Sequence, residues 1–164
     1  MKTKKLTAMA LLAAVSVTVF VAEAQIPPIV PVPGVKLGLA NIVTPVAAIL
    51  LGRREAGLIL LVRIILGNIF AGGVSAMIFS LAGGALAYIT VCATVKRFPG
   101  ELIWVVSVFA AIAHNLGQIS AAAALTGTSA LFAYFPVLAV SGIATGAFTG
   151  LAAGYLIKAL KKRL

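Results

Sequence analysis

The sequence predicts an all-α polytopic membrane protein of six transmembrane helices, and three observations carry that prediction. Hydrophobic residues make up 62% of the 164 residues and charged residues only 10%. A soluble domain is about half apolar and a quarter charged. Mean hydropathy is +1.18, whereas disorder needs low hydrophobicity. The basic residues fall in short clusters between long apolar runs, as in chains threaded through lipid. A span takes roughly 20 residues, so residues 1–164 read as a single transmembrane domain with no sizeable extramembrane part.

The first apolar run covers about 6–24, behind Lys2, Lys4 and Lys5. A proline-rich loop follows over 25–36, where Pro27, Pro28, Pro31 and Pro33 forbid a helix. The second run covers about 37–51 and contains Pro45, which should kink it or distort its first turns. Gly52-Arg53-Arg54-Glu55 ends that run, and a third covers about 56–71, closed by Gly72-Gly73. The fourth covers about 74–95 and stops at Lys96-Arg97-Phe98-Pro99-Gly100. The fifth covers about 102–124, a Leu125–Ser129 turn follows, and the sixth covers about 132–157 before a basic tail. In lipid each span must satisfy its own backbone, which makes it a helix. A competing reading treats residues 1–24 as a signal segment, with Ala22-Glu23-Ala24 as its cleavage site.

Six spans put both termini on one side. All of the 13 basic residues except Lys36 and Arg63 then share that side, which by the charge rule is the cytoplasm. The net charge of +10 is therefore topological, and nucleic-acid binding is not expected. Glu23, Glu55 and Glu101 are the only acids, and the chain has no aspartate. It cannot build an aspartate-rich magnesium site for a diphosphate. One cysteine, Cys92, and one histidine, His114, exclude an internal disulfide and a zinc cage. No phosphate-binding G-x-x-x-x-G-K-[ST] loop is present. The chain thus reads as neither an enzyme nor an ATPase, with no cofactor and no metal.

Polar residues inside spans are the functional candidates, because they are costly at depth and face a cavity or a partner. His114 and Gln118 lie four apart on one helix face with Asn115 beside them, flanked by Ala111, Ala121 and Ala122. Their alternative role is to hold the bundle together by interhelical hydrogen bonds. Arg63 sits about 14 Å along its helix from Arg54, near the midplane, and must find an acceptor: a carbonyl, Asn68, a water or an anionic ligand. Glu23, Lys36 and Asn41 flank the proline loop, which reads either as a lid over an outward pocket or as the site of a Glu23–Lys36 pair. Tyr134, Phe135 and Pro136 are placed to wall the same pocket. Phe98, Trp104 and Tyr155 read as interface anchors. Gly142, Gly146, Gly150 and Gly154 form one smooth helix face for close packing, either within the chain or against another subunit. Ala10 and Ala14 make a weaker A-x-x-x-A on the first helix.

The run Pro33-Gly34-Val35-Lys36-Leu37-Gly38-Leu39-Ala40-Asn41 resembles the signature of the Gx transporter family, also labelled heptaprenyl diphosphate synthase component I. Arg63 with Gly67-Asn68, Phe79-Ser80-Leu81-Ala82-Gly83-Gly84, His114-Asn115-Leu116-Gly117-Gln118, Tyr134-Phe135-Pro136 and the glycine ladder also fit. That family is similar to the substrate-binding S components of energy-coupling-factor transporters. The resemblance implies a six-helix bundle in a bacterial-type plasma membrane, with inside termini and a lid loop between its first two helices. It implies that Ala10 and Ala14 dock a transmembrane coupling subunit, which works with an ATPase module. It also implies capture of a small organic molecule in the outer half of the bundle, and the residues read as holding it, a small amphiphile, are Glu23, Lys36, Asn41, Arg63, Asn68, His114, Asn115 and Gln118. Lys36 and Arg63 would favour an anionic group, and the label suggests an isoprenoid or quinone precursor. The alternative is a noncatalytic membrane subunit that anchors or feeds a polyprenyl diphosphate synthase or a redox complex.

Overall fold

A computed structural model describes residues 2–26, 38–98 and 102–161. Lys36, Glu101 and nearly all of the expected lid loop lie outside the described residues. Within them the chain is helical, with no strand. α1 spans Lys2–Ala24, α2 Val43–Leu50, α3 Arg53–Ala71, α4 Gly73–Thr94, α5 Ile103–Thr126 and α6 Phe135–Lys161. A short 3-10 helix, Leu39–Ile42, leads straight into α2, and a second, Ser129–Tyr134, precedes α6.

Among the described residues, four segments are long and apolar enough to cross a membrane: Thr3–Ala24, Gly73–Thr94, Ile103–Thr126 and Ser129–Lys161. These fit a membrane protein. The second and third of the six expected spans do not reach that standard. Leu39–Leu50 is a shorter apolar helix, and α3 carries Arg53, Arg54, Glu55 and Arg63 within its 19 residues. Pro45 falls in the first turn of α2, where a missing N–H leaves no hydrogen bond unmade. The change from 3-10 to α geometry falls just before it.

The shortest helix is the most enclosed. Val43, Thr44, Pro45, Val46, Ala47 and Ala48 of α2 are all buried, because α2 touches every other helix of the bundle. It forms a solid core with Ala56 and Ile59 of α3, Val91 and Val95 at the end of α4, Ile103 and Val106 of α5, and Ala153 and Ile157 of α6. Met9 and Leu12 of α1 and Leu160 of α6 pack on the same cluster. The first turns of α1 and the last turns of α6 therefore share one end of the bundle. Lys5 pairs with Glu55 at that end, and its ammonium holds the Glu55 carboxyl below the usual carboxylate range.

Glycines set how closely the helices approach. A Cβ at Gly146 would lie 2.6 Å from Val108 Cα, and one at Gly150 would meet Trp104 Cα and lie 2.8 Å from Ser107 Cβ. Gly142 faces Ala111, Ile112 and Asn115, and Gly154 faces Ile103. The whole ladder thus seats α6 on α5 of the same chain. On the other side of α5, a Cβ at Gly117 would lie 2.8 Å from Gly83 Cα, so α5 and α4 cross nearly backbone to backbone. The α3–α4 reversal needs Gly73, whose φ of 76° is in the left-handed region. Outward faces are apolar: Leu58, Ile65 and Ile69 on α3, and Val140, Phe148 and Leu151 on α6, are exposed. In lipid such faces are solvated, so their exposure creates no conflict with the burial of α2.

Candidate functional site

Packing is dense around α2 and opens beyond it. There, the other half of the bundle encloses a cavity lined by Phe20 and Glu23 of α1, Gly38, Ala40 and Asn41 at the first 3-10 helix, Arg63 of α3, Ser80 of α4, Ala111, His114, Asn115 and Gln118 of α5, and Thr145 of α6. Within these walls the space open to a water-sized sphere is about 60 Å³. Six segments distant in sequence therefore converge on one polar hollow.

Arg63 anchors it. The residue is only 4% exposed, and its guanidinium donates from Nη1 to Asn41 Oδ1 at 2.8 Å. Its Nε is buried with no hydrogen-bond partner. Glu23 faces the same space, and its negative charge acts on the guanidinium. A buried guanidinium with one donor unmatched costs roughly 1–3 kcal/mol until something accepts from it.

The wall opposite is the polar face of α5. His114, Asn115 and Gln118 all reach the cavity. Asn115 Nδ2 donates to Leu138 O of α6 at 2.7 Å, which leaves its Oδ1 directed elsewhere. Two glycines make room for this wall. A Cβ at Gly83 would lie 2.8 Å from Gln118 Cγ and 2.9 Å from His114 Cε1, and one at Gly142 would lie 3.2 Å from Asn115 Nδ2. Gly67 likewise admits Phe20, since a Cβ there would lie 2.6 Å from Phe20 Cδ1.

The roof depends on Gly38. Its φ of 70° is left-handed, its N–H donates to Glu23 Oε1, and its carbonyl accepts from Asn41 N at 2.9 Å. This places Asn41 over Arg63. Ser16, a buried polar residue of α1, donates to Ala40 O at 3.4 Å and pins the same turn. Gly38→Ala is expected to lower thermal stability, since an L-residue there costs about 1–2 kcal/mol and its Cβ would lie 3.2 Å from Asn41 Nδ2. Thermal melts of the purified protein would check this.

Of the residues singled out in the sequence, Glu23, Asn41, Arg63, His114, Asn115 and Gln118 meet around the cavity. Lys36 lies outside the described residues. Asn68 is not in the wall. It is 2% exposed, donates to Ile64 O at 2.7 Å and accepts from Ser80 Oγ at 3.5 Å, so it fastens α3 to α4. Tyr134, Phe135 and Pro136 do not wall the cavity either. The 3-10 helix carrying Tyr134 has no buried residue, and Tyr134 is 55% exposed. Ala10 and Ala14 are exposed on the outer face of α1. Trp104 and Tyr155 are also exposed, while Phe98 packs on the core and lies 6.4 Å from the Phe109 ring.

Phe20, Ser80 and Thr145 were not apparent from the sequence. Thr145 had one usable signal, a hydroxyl immediately beside Gly146 of the ladder. Ser80 sits one turn before Gly83-Gly84, where the close approach of the helices leaves room only for a small polar group.

No characterised protein and no solved structure matches the chain. A family model does, over residues 12–156, which takes in every described residue of the cavity wall. The chain belongs to the heptaprenyl diphosphate synthase component I family.

Proposed function

We propose that this protein is the membrane-embedded, substrate-binding subunit of a small-molecule uptake transporter, without catalytic chemistry of its own. The observation that carries the reading is the buried Arg63, whose Nε has no partner and whose surroundings form a polar cavity rather than a packed core. A purely structural bundle gains nothing from holding an incompletely bonded guanidinium at this depth. His114, Gln118 and Asn41 add hydrogen-bonding groups of both kinds. The ligand is a small organic anion, with an isoprenoid or quinone precursor as the class the family name suggests.

The remaining assignments follow from that role. The basic end is cytoplasmic by the charge rule, the membrane is a bacterial-type plasma membrane, and six segments cross or re-enter it. Residues 25–36 with Lys36 act as the lid. Ala10 and Ala14, exposed on α1, offer a small-residue face to a transmembrane coupling subunit. An ATPase module beyond that subunit supplies the energy, as in energy-coupling-factor transporters.

A second reading is favoured by the family name, in which "component I" denotes one part of a synthase. The protein would then be a noncatalytic membrane subunit that presents an isoprenoid to a catalytic partner, or serves a redox complex in the same way. The two are separated by one experiment. Uptake and ligand retention are measured with Arg63, His114 and Gln118 changed together to Leu. Loss of both, with the melting temperature preserved, supports the transporter. Unchanged uptake, with loss of synthase activity in membranes, supports the second reading.

A further inference from the structure

The polar cavity holds both signs of charge. Among the described residues, the charged or titratable groups in its wall are Glu23 of α1, Arg63 of α3 and His114 of α5. The α4 and α6 groups that reach it are the hydroxyls of Ser80 and Thr145, and the first 3-10 helix and the residue before it offer only Gly38, Ala40 and Asn41. The fixed charges, Arg63 and Glu23, therefore balance. An anion seated on the guanidinium leaves the hollow with a second negative charge beside Glu23. Distance does little to dilute that excess. The space open to a water-sized sphere is about 60 Å³, room for about four waters, so an anionic group that reaches Arg63 also comes close to Glu23. Like charges held at such range, away from bulk water, disfavour each other strongly.

Glu23 can relieve this without disturbing the fold. It lies in the last turn of α1 and is only half-buried, which gives a proton access from outside the bundle. Its Oε1 accepts from the Gly38 N–H. A neutral carboxyl keeps that acceptor and carries its proton on the other oxygen, where the O–H can donate to the anion. Arg63 has no such freedom, since a guanidinium stays charged.

Resting on the reading of this cavity as an anion site, we propose that it binds its anion together with one proton, which Glu23 takes up. The ligand class is thus an acid captured as its anion plus a proton. Arg63 balances the anion's charge, and the Glu23 carboxyl donates to it. Because a proton is gained on binding, affinity rises as pH falls, by up to about tenfold per pH unit. The rise covers the pH range in which the empty site has lost that proton and the filled site keeps it. A neighbouring charge changes the proton affinity of a carboxyl by about tenfold to a thousandfold, which sets the whole gain. A more acidic solution on the cavity's side of the membrane would favour loading.

The test is calorimetric binding of ethyl sulfate, whose charge is the same at every pH used, and of ethyl phosphate, to the full chain in nanodiscs. Titrations in buffers of different ionisation enthalpy count the protons taken up with each anion. Glu23→Gln keeps an acceptor for the Gly38 N–H but cannot gain a proton. The difference between parent and Glu23→Gln cancels whatever the ligand or His114 contributes, and should be about one proton per anion. His114→Gln should still take up a proton and still bind more tightly as pH falls, which keeps the test decisive if Glu23→Gln does not fold. A difference of zero, or loss of proton uptake in His114→Gln, would make another group, His114 or Lys36, the carrier of the balancing charge. Either result would overturn the proposal while leaving the anion site standing. If neither ethyl sulfate nor ethyl phosphate binds at any pH, the anion site and this proposal fall together.

Discussion

Arg63→Met is expected to leave the bundle folded while reducing capture of an anionic ligand tenfold to a hundredfold. The guanidinium is 4% exposed, with a single hydrogen bond, to Asn41. Methionine fills much of the same space without a buried charge, but it leaves Asn41 Oδ1 without its donor, at about 1–3 kcal/mol, and Glu23 without the guanidinium its charge acts on. The melting temperature should therefore fall modestly, without loss of the fold. Binding should suffer far more, since a charge-assisted hydrogen bond contributes about 1.5–3 kcal/mol. Arg63→Lys should recover only part of the affinity, because an ammonium lacks the planar fork that can hold Asn41 and a ligand together. Ethyl phosphate binding and thermal melts of the three proteins check this. A large drop in melting temperature for Arg63→Met, with rescue by Lys, would make Arg63 a structural pin and leave the cavity without its anchor.

Gly146→Leu is expected to disrupt the fold itself. Its Cβ would lie 2.6 Å from Val108 Cα and 2.9 Å from Ser107 O. Both are backbone-level contacts that no rotamer change relieves. Overpacking of this kind costs about 1–3 kcal/mol even where side chains can move, so Gly146→Leu should exceed that range and Gly146→Ala should fall within it. Ala144→Leu, two residues away on an exposed face, should have little effect. Differential scanning fluorimetry of the three variants would check this. Normal stability of Gly146→Leu with lost uptake would instead make the α5–α6 seam a moving part.

The polar face of α5 was legible in the sequence because helical periodicity places His114 and Gln118 on one side within a single element. All three of its polar residues do reach the cavity. Asn68 shows where that logic stops. It lies on the same helix as Arg63, and both are buried, but Ile64 O and Ser80 take its amide. Which buried polar residue faces a hollow and which faces a neighbouring helix depends on partners contributed by other elements. Glu23 shows the reverse case. Read along its own helix it belongs to one end, away from Arg63. In the fold the Gly38 N–H holds it, and it faces the space Arg63 occupies.

Composition and the order of charges sufficed for the class of fold and for the approximate position of each helix, because apolar content and helical period are local properties of the chain. Polar positions in and beside the apolar runs pointed to six of the residues around the cavity. The fate of the two central runs was a matter of packing: α2 became a short buried plug and α3 a helix with a charged interior. The polar cavity likewise exists only because α1, α3, α4, α5, α6 and the turn at Leu39–Ile42 meet as they do. A hollow is bounded by several elements at once, and no one-dimensional pattern records the distance between them.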